Sequence, residues 1–151
     1  MANSSQPLLQ GIPGDVIRIT TNPWTEPFWK AAAQGRFIAQ CCVSCSAFRM
    51  PPAPFCPNCQ ATQMQWETLS GRGELYSYTV CYKSPFPDRA PELIYAPAVV
   101  EFPQAGRIRL VGNLVDIARE DIRIGMPVQL RWNPTSDGYA VPWFCAAPAA
   151  E

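Results

Sequence analysis

A chain of 151 residues, 48% of them hydrophobic, is long enough to bury one sizeable core. Its 12 Lys+Arg and 12 Asp+Glu leave no net charge, so the basic excess of an electrostatic nucleic-acid footprint or of a membrane-surface binder is missing. Histidine is absent, which excludes Ser-His-Asp and Cys-His nucleophile arrangements built from this chain alone, and metal sites that use imidazole.

The start, MANSSQPLLQGIPGD, carries neither the basic n-region nor the apolar h-region of a secretory leader. No apolar run approaches the ~20 residues of a spanning helix. The expectation is a cytoplasmic protein with no membrane partner. In that compartment clustered cysteines more often ligate a metal than pair as disulfides.

The first 21 residues, interrupted by Gly11, Pro13 and Gly14, read as an arm that orders against the body or against a partner. Asn22-Pro23 marks a turn, and TEPFWKAAAQGRF then predicts a helix. Thr25 is the expected N-cap, Glu26 and Pro27 suit the first turn, and Gly35 is the stop. Trp24, Phe28, Ala31 and Ala32 fall near one face, fit for packing on the body or on a partner. Arm and helix make up residues 1–35.

Residues 36–64 hold two C-x2-C knuckles, Cys42/Cys45 and Cys56/Cys59, with ten residues between the pairs. Two such knuckles place four thiolates tetrahedrally around one ion, at about 2.3 Å each for Zn2+. Phe37-Ile38-Ala39 leads into the first knuckle as a short strand, Phe48-Arg49-Met50 lies between the knuckles, and Pro51, Pro52 and Pro54 stiffen the connection to the second. The unit has little apolar mass, so the metal, which supplies about 10–16 kcal/mol in comparable modules, dominates its folding balance.

Four thiolates saturate the ion and leave no position for water or substrate, so the expected role of the Zn2+ is structural. Its net charge calls for compensation by Arg36, Arg49 and backbone amides. Iron fits the same ligands, and Cys56-Pro57-Asn58-Cys59 resembles a rubredoxin knuckle, which keeps electron transfer open. The remaining cysteines are Cys41, Cys81 and Cys145. Cys41 suits strand packing, and Cys81 reads as a small buried hydrophobe.

Residues 65–151 change to a strand pattern. MQWETLS and GELYSYTVCYK come first, then residues 97–102, then RIRLVGNLVD, in which Ile108, Leu110, Gly112 and Leu114 share one face and Arg107, Arg109 and Val111 the other. A connector, IAREDIRIG, has room for one helical turn, and MPVQLRW, the turn NPTSDG and YAVPWFC complete the set. Short strands without a long helix predict a small closed barrel, with the OB-fold as the best match. The fold class is therefore mainly β: an N-terminal helix, a rubredoxin-like zinc ribbon, then an OB-fold barrel.

Two apolar stretches stand out. Residues 84–97, SPFPDRAPELIYAP, form a proline-studded loop carrying Phe86, Leu93, Ile94 and Tyr95, which either offers a contact surface or folds over the barrel end. The tail with Trp143 and Phe144 is either the last strand or a docking strip.

The order of a helix with EPFWKAAAQGR, a C-x2-C-x10-C-x2-C ribbon, GxGELYSYTV and a late IGMPVQLRW resembles one family from about Asn22 to Phe144. It is the zinc-ribbon/OB-fold family catalogued as domain of unknown function thirty-five, associated with acyl-CoA metabolism. The family's ribbon ligands map onto Cys42, Cys45, Cys56 and Cys59, and no catalytic residues transfer with it.

The resemblance implies a small subunit bound to a thiolase-like enzyme or to a MaoC-type hydratase. Such subunits are found in aldolase, thiolase and acyltransferase complexes. The expected role is a non-catalytic accessory subunit that helps assemble an acyl-CoA site shared with a thiolase-like partner, in a hetero-oligomer. Phe86, Leu93, Ile94, Tyr95, Trp143 and Phe144 are the expected contacts with partner or acyl chain. Two alternatives are a MaoC-like enoyl-CoA hydratase subunit and a nucleic-acid-binding ribbon–barrel protein that stacks bases on Tyr76, Tyr78 and Tyr82. A free-standing enzyme is a further one.

Overall fold

The computed structural model describes residues 8–148; the first seven residues of the expected arm lie outside it. Helix α1 spans Glu26–Ala33 and is followed by eight strands: β1 Phe37–Cys42, β2 Phe48–Arg49, β3 Met64–Leu69, β4 Arg72–Tyr78, β5 Ala96–Phe102, β6 Ile108–Leu114, β7 Pro127–Pro134 and β8 Ala140–Ala146. Among the described residues, no helix is long and apolar enough to cross a membrane.

The start of α1 is fixed differently from the sequence expectation. The Thr25 hydroxyl makes no cap bond to the helix; instead the Asn22 carboxamide oxygen accepts from the Trp24 and Thr25 amides at 3.0 Å each. Asn22 is thus the organising residue, as its short side chain can imitate a backbone turn. Gly35, at φ +75°, ends the helix, and the Arg36 amide reaches back to the Ala31 carbonyl. Phe28, Ala31 and Ala32 are buried as the spacing predicts, whereas Trp24 is exposed.

β2, β1 and β3 form a three-stranded sheet. The strand over 64–69, which the sequence groups with the barrel, belongs to this ribbon sheet. It pairs with β1 from Phe37↔Leu69 to Cys42↔Met64. Period-two alternation marks a strand but not its partner. At Gly71, φ +78°, the chain then turns into a second sheet.

That second sheet closes as a barrel in the order β4-β5-β6-β8-β7. β6 alternates as predicted, with Ile108, Leu110, Gly112 and Leu114 buried and Arg109 and Val111 exposed. The long strand expected over 73–83 stops at Tyr78, and an isolated bridge, Cys81↔Tyr95, continues the pairing. The connector holds a single 3-10 turn, Arg119–Asp121. Residues 143–145 are part of β8, so the tail is the last strand.

One core unites these parts. Phe37 of β1 lies 4.8 Å from Phe102 of β5, Phe28 of α1 lies 6.0 Å from Trp132 of β7, and Phe102 lies 6.4 Å from Phe144 of β8. Tilted and edge-on rings at these separations add to the area they bury. The ribbon is therefore seated on the barrel through Phe37 and Ala39, with α1 filling the space beside them.

The arm also packs on the body. The Leu9 amide donates to Ile117 O, the Asp116 amide to Leu9 O and the Gln10 amide to Ile94 O. Further on, the Ile19 amide donates to Asp137 Oδ2 at 2.8 Å.

Candidate functional site

The two knuckles are near copies of each other. In the first, the Cys42 amide donates to Ala47 O and the Ser46 amide to Cys42 O; in the second, the Cys56 amide donates to Ala61 O and the Gln60 amide to Cys56 O. Ser46 and Gln60 both take left-handed backbone, φ 59° and 64°. Each turn therefore curls its chain so that backbone amides face sulfur. β1 delivers Cys42 directly, and the proline-stiffened connection after β2 delivers Cys56.

The Sγ atoms of Cys42, Cys45, Cys56 and Cys59 all lie within 4.8 Å of one another. Cys42–Cys59 and Cys45–Cys56 are 3.6 Å apart. Tetrahedral Zn2+ with 2.3 Å bonds needs sulfurs about 3.8 Å apart, so these residues fit the ion. Cys42 and Cys56 are buried, Cys45 is half-buried and Cys59 is exposed. The centre thus lies at the edge of the ribbon, closed on its inner side.

Two of the thiols are already disposed toward ionisation. The Asn58 carboxamide donates to Cys45 Sγ at 3.4 Å; with the Ala47 amide it lowers the Cys45 pKa to about 6. The Cys45 and Ser44 amides lower that of Cys42. At Cys59 the Ala61 amide acts in the same direction, but Cys45, burial and the other thiols outweigh it and push the pKa up to about 12. A set of thiols that cannot all ionise together is what a divalent cation resolves.

The expected arginine compensation is not found. Arg36 is exposed and donates to Gln34 Oε1. Arg49 is buried and donates from Nε to Gln40 Oε1 at 2.8 Å, and the same oxygen accepts the Ala53 amide. This buried pair tethers the proline segment over β1. Asn58 and the backbone amides face the sulfurs instead. Asn58, which donates to Cys45 Sγ, is a residue of the candidate site that sequence reasoning named only as part of a rubredoxin-like knuckle.

Cys41 points away from the cluster: its Sγ lies 3.5 Å from Ser46 O, and burial raises its pKa. Cys81 and Cys145 are half-buried.

The expected contact residues divide. Phe144 is fully buried and Leu93 is 3% exposed, so both are core side chains of this chain. Ile94, Tyr95, Phe86 and Trp143 are half-buried. Ile94 O receives the arm at Gln10, and Trp143 lies beneath Gly11, so both are partly covered by the arm. Phe86 lines a depression of about 500 Å³ with Val16, Arg18 and Pro85, beside the Arg89–Asp15 ion pair.

Tyr76, Tyr78 and Tyr82 are exposed. Arg109 lies 3.6 Å over the Tyr76 ring and Arg119 lies 5.6 Å over that of Tyr82. Two of the three aromatic faces expected to stack bases therefore carry an intramolecular cation.

Two family models match adjoining stretches: the rubredoxin-like zinc ribbon domain of ChsH2 over residues 29–65 and the C-terminal OB-fold domain of ChsH2 over residues 66–133. The chain is 41% identical over 127 residues to a probable enoyl-CoA hydratase alpha subunit of Thermomonospora curvata, covering 82% of this chain and 38% of that one. It is 35% identical over 91 residues to a DUF35 domain-containing scaffold protein of Methanocaldococcus jannaschii, covering 58% of this chain and 61% of that one. The chain thus spans less than two thirds of the length of these curated relatives.

Among solved structures, it is similar to a chain of the Ltp2-ChsH2(DUF35) aldolase at 37% identity and a TM-score of 0.76, covering 87% of this chain and 100% of that one. A DUF35-family protein of unknown function from Sulfolobus solfataricus shares the fold at 17% identity, with a TM-score of 0.59 over 84% of this chain and 87% of that one. Ribbon, barrel and their order all agree: the chain belongs to the ChsH2-type DUF35 family of rubredoxin-like zinc-ribbon and OB-fold proteins.

Proposed function

We propose that this chain is a non-catalytic accessory subunit of a thiolase-like acyl-CoA enzyme complex, of the side-chain aldolase type. The observation that carries this reading is the similarity, along the full length of that chain, to a chain of the Ltp2-ChsH2(DUF35) aldolase. The absence of histidine and the closed four-thiolate centre support it. Acid–base and nucleophilic steps then belong to the partner, and the acyl-CoA is bound by the complex. Zn2+ is the proposed ion; when bound, it cross-links the two knuckles and fixes the ribbon on the barrel.

The division of labour follows from the core. Phe37 and Phe28 hold ribbon and helix against the barrel, so the outer surfaces of all three reach a partner as one rigid body. Phe86 and Tyr95 remain proposed contacts, whereas Leu93 and Phe144 act through the core.

Mixing the purified chain with its thiolase-like partner tests the proposal. Co-elution, together with retro-aldol cleavage of an acyl-CoA that the partner alone performs poorly, is the expected result. A chain that stays separate and leaves the partner's activity unchanged defeats it. A second reading, subunit of a MaoC-like enoyl-CoA hydratase, is favoured by the Thermomonospora curvata relative; hydration of an enoyl-CoA by a complex with a MaoC-like chain would establish it.

A further inference from the structure

The seam that closes the barrel is short. β6 and β8 run parallel and, among the described residues, pair at Asn113↔Trp143 and Leu114↔Phe144. Just beyond, the Val115 amide donates to Phe144 O at 2.9 Å. On the other side of the paired segment stands Pro142, which has no amide hydrogen to donate. From there the two strands make no further pairs.

Alternation along β6 identifies the groups left over. Successive residues of a strand direct their backbone groups to opposite edges. Since the Val115 amide serves the β8 side, the amides and carbonyls of Val111 and Arg109 face that side too. Ile108, Leu110, Gly112 and Leu114 serve β5, with which β6 is in unbroken register. Among the described residues, no backbone bond reaches Arg109 or Val111 from the β8 side.

A groove of about 360 Å³ runs along this free edge, between β6 and α1. Its walls are Phe28 and Trp29 of α1, Met50 and Pro51 after β2, and Pro142 of β8. Val111, on its floor, is 65% exposed. The one charged side chain lining it, Arg109, is held by Glu101 at 3.0 Å and stacked on Tyr76. The groove therefore offers apolar walls, no free charge and a strip of unpaired backbone donors and acceptors.

We propose that this groove is a strand-addition site, in which an extended, uncharged segment of the partner polypeptide lies between α1 and β6 and pairs its backbone with Arg109 and Val111. The inference rests on the accessory-subunit reading above. The chemistry of the edge selects the occupant. An acyl chain would fill the apolar walls but exclude water from amides and carbonyls that it cannot bond, which costs free energy at each group. A peptide backbone satisfies them while its alternate side chains meet Trp29 and Met50. A second copy of this chain is disfavoured sterically, because its own β6 edge is walled by its own α1. An exposed strand edge is a ready template for a strand from another chain.

Amide exchange resolved to single residues tests this, on the full chain alone and in complex with the thiolase-like partner. The Arg109 and Val111 amides should exchange freely in the isolated chain and at least about tenfold more slowly in the complex. Val111→Pro removes the outward amide and no bond to β5, a place where proline is tolerated. It should weaken the complex about tenfold, while Val111→Thr, which keeps the amide, should bind within about threefold of wild type.

A complex that leaves both amides unprotected, or that binds Val111→Pro as well as wild type, overturns the groove assignment and leaves the accessory reading standing. Absence of any complex overturns both. Protection on concentrating the chain alone, or on adding palmitoyl-CoA without partner, assigns the groove to a second copy or a lipid and also overturns the proposal. Should Val111→Pro not fold, the wild-type exchange decides the matter by itself.

Discussion

Gly11 lies flat against the Trp143 indole, so close that a Cβ at this position would fall 2.1 Å from Cε2. Gly14 makes a similar approach to the barrel, where a Cβ would fall 2.0 Å from Pro134 O. These two contacts, with the Leu9 and Ile19 amide bonds, hold the arm across the end of the barrel. They explain why Trp143, apolar and near the end of the chain, is only half open to a partner.

Gly11→Val should therefore release the arm. The expected loss is about 1–3 kcal/mol, the usual cost of forcing atoms into a packed contact. Urea denaturation measures the loss, and protease cleavage within residues 8–19 should appear in the variant before the barrel is cut.

The metal centre makes a separate prediction. The purified chain should contain one zinc per molecule, measured by mass spectrometry, and should lack visible thiolate-to-iron absorption. Cys56→Ser opens the ligand set and should cost both zinc retention and the ordered ribbon, because metal binding in such modules contributes about 10–16 kcal/mol. Since Phe37 of β1 reaches Phe102 in the barrel core, the loss should spread to the barrel and appear as a lower unfolding midpoint.

Glu101 supplies a pH test. It is buried between Arg107 and Arg109, at 2.5 and 3.0 Å, and Arg109 holds its carboxyl below the ordinary range despite burial. A depressed folded-state pKa contributes stability above the unfolded value of the carboxyl and loses it as pH falls through the folded value. Wild type should then exceed Glu101→Gln in stability at neutral pH, and the two should converge in acid. Thermal melts across the acid range measure the difference, which should shrink in high salt because the Arg107 and Arg109 side chains are 69% and 48% exposed.

Phe28 and Phe144 are among the sites where truncation should cost most. Phe144 is fully buried and Phe28 is 3% exposed. Replacing either by alanine should cost about 3–5 kcal/mol, from lost transfer energy and the cavity left behind. Ile124→Ala, at 63% exposure, should stay within about 0.5 kcal/mol. Denaturant midpoints at constant slope check all three.

The sequence expectations succeed where a local rule suffices. The knuckles are legible because two cysteines three apart on a tight turn point to one side, whatever surrounds them. The faces of α1 and β6 are legible from their periods. Thr25 fails as a cap because its hydroxyl turns back to accept the Asn22 amide at 3.1 Å, while the Asn22 side chain takes the Trp24 and Thr25 amides, and spacing alone does not show which way the hydroxyl turns. The strand over 64–69 is visible as a strand, yet its sheet is not, because its six pairs are all with a segment some 25 residues away. Leu93 and Phe144 read as surface contacts for the same reason: an apolar side chain in a loop or tail has no burial until its neighbours are known.

By itself, then, the sequence determined the four-cysteine cluster, the absence of imidazole side chains from this chain and the helix–ribbon–barrel order, since each depends on residue type and near spacing. Only the tertiary structure decided that β3 joins the ribbon, that Phe37 welds ribbon to barrel and that the arm covers Trp143. The same holds for the free edge of β6 left by Pro142. These are long-range pairings, chosen by the shape of a shared core and by which backbone groups still lack partners when the barrel closes.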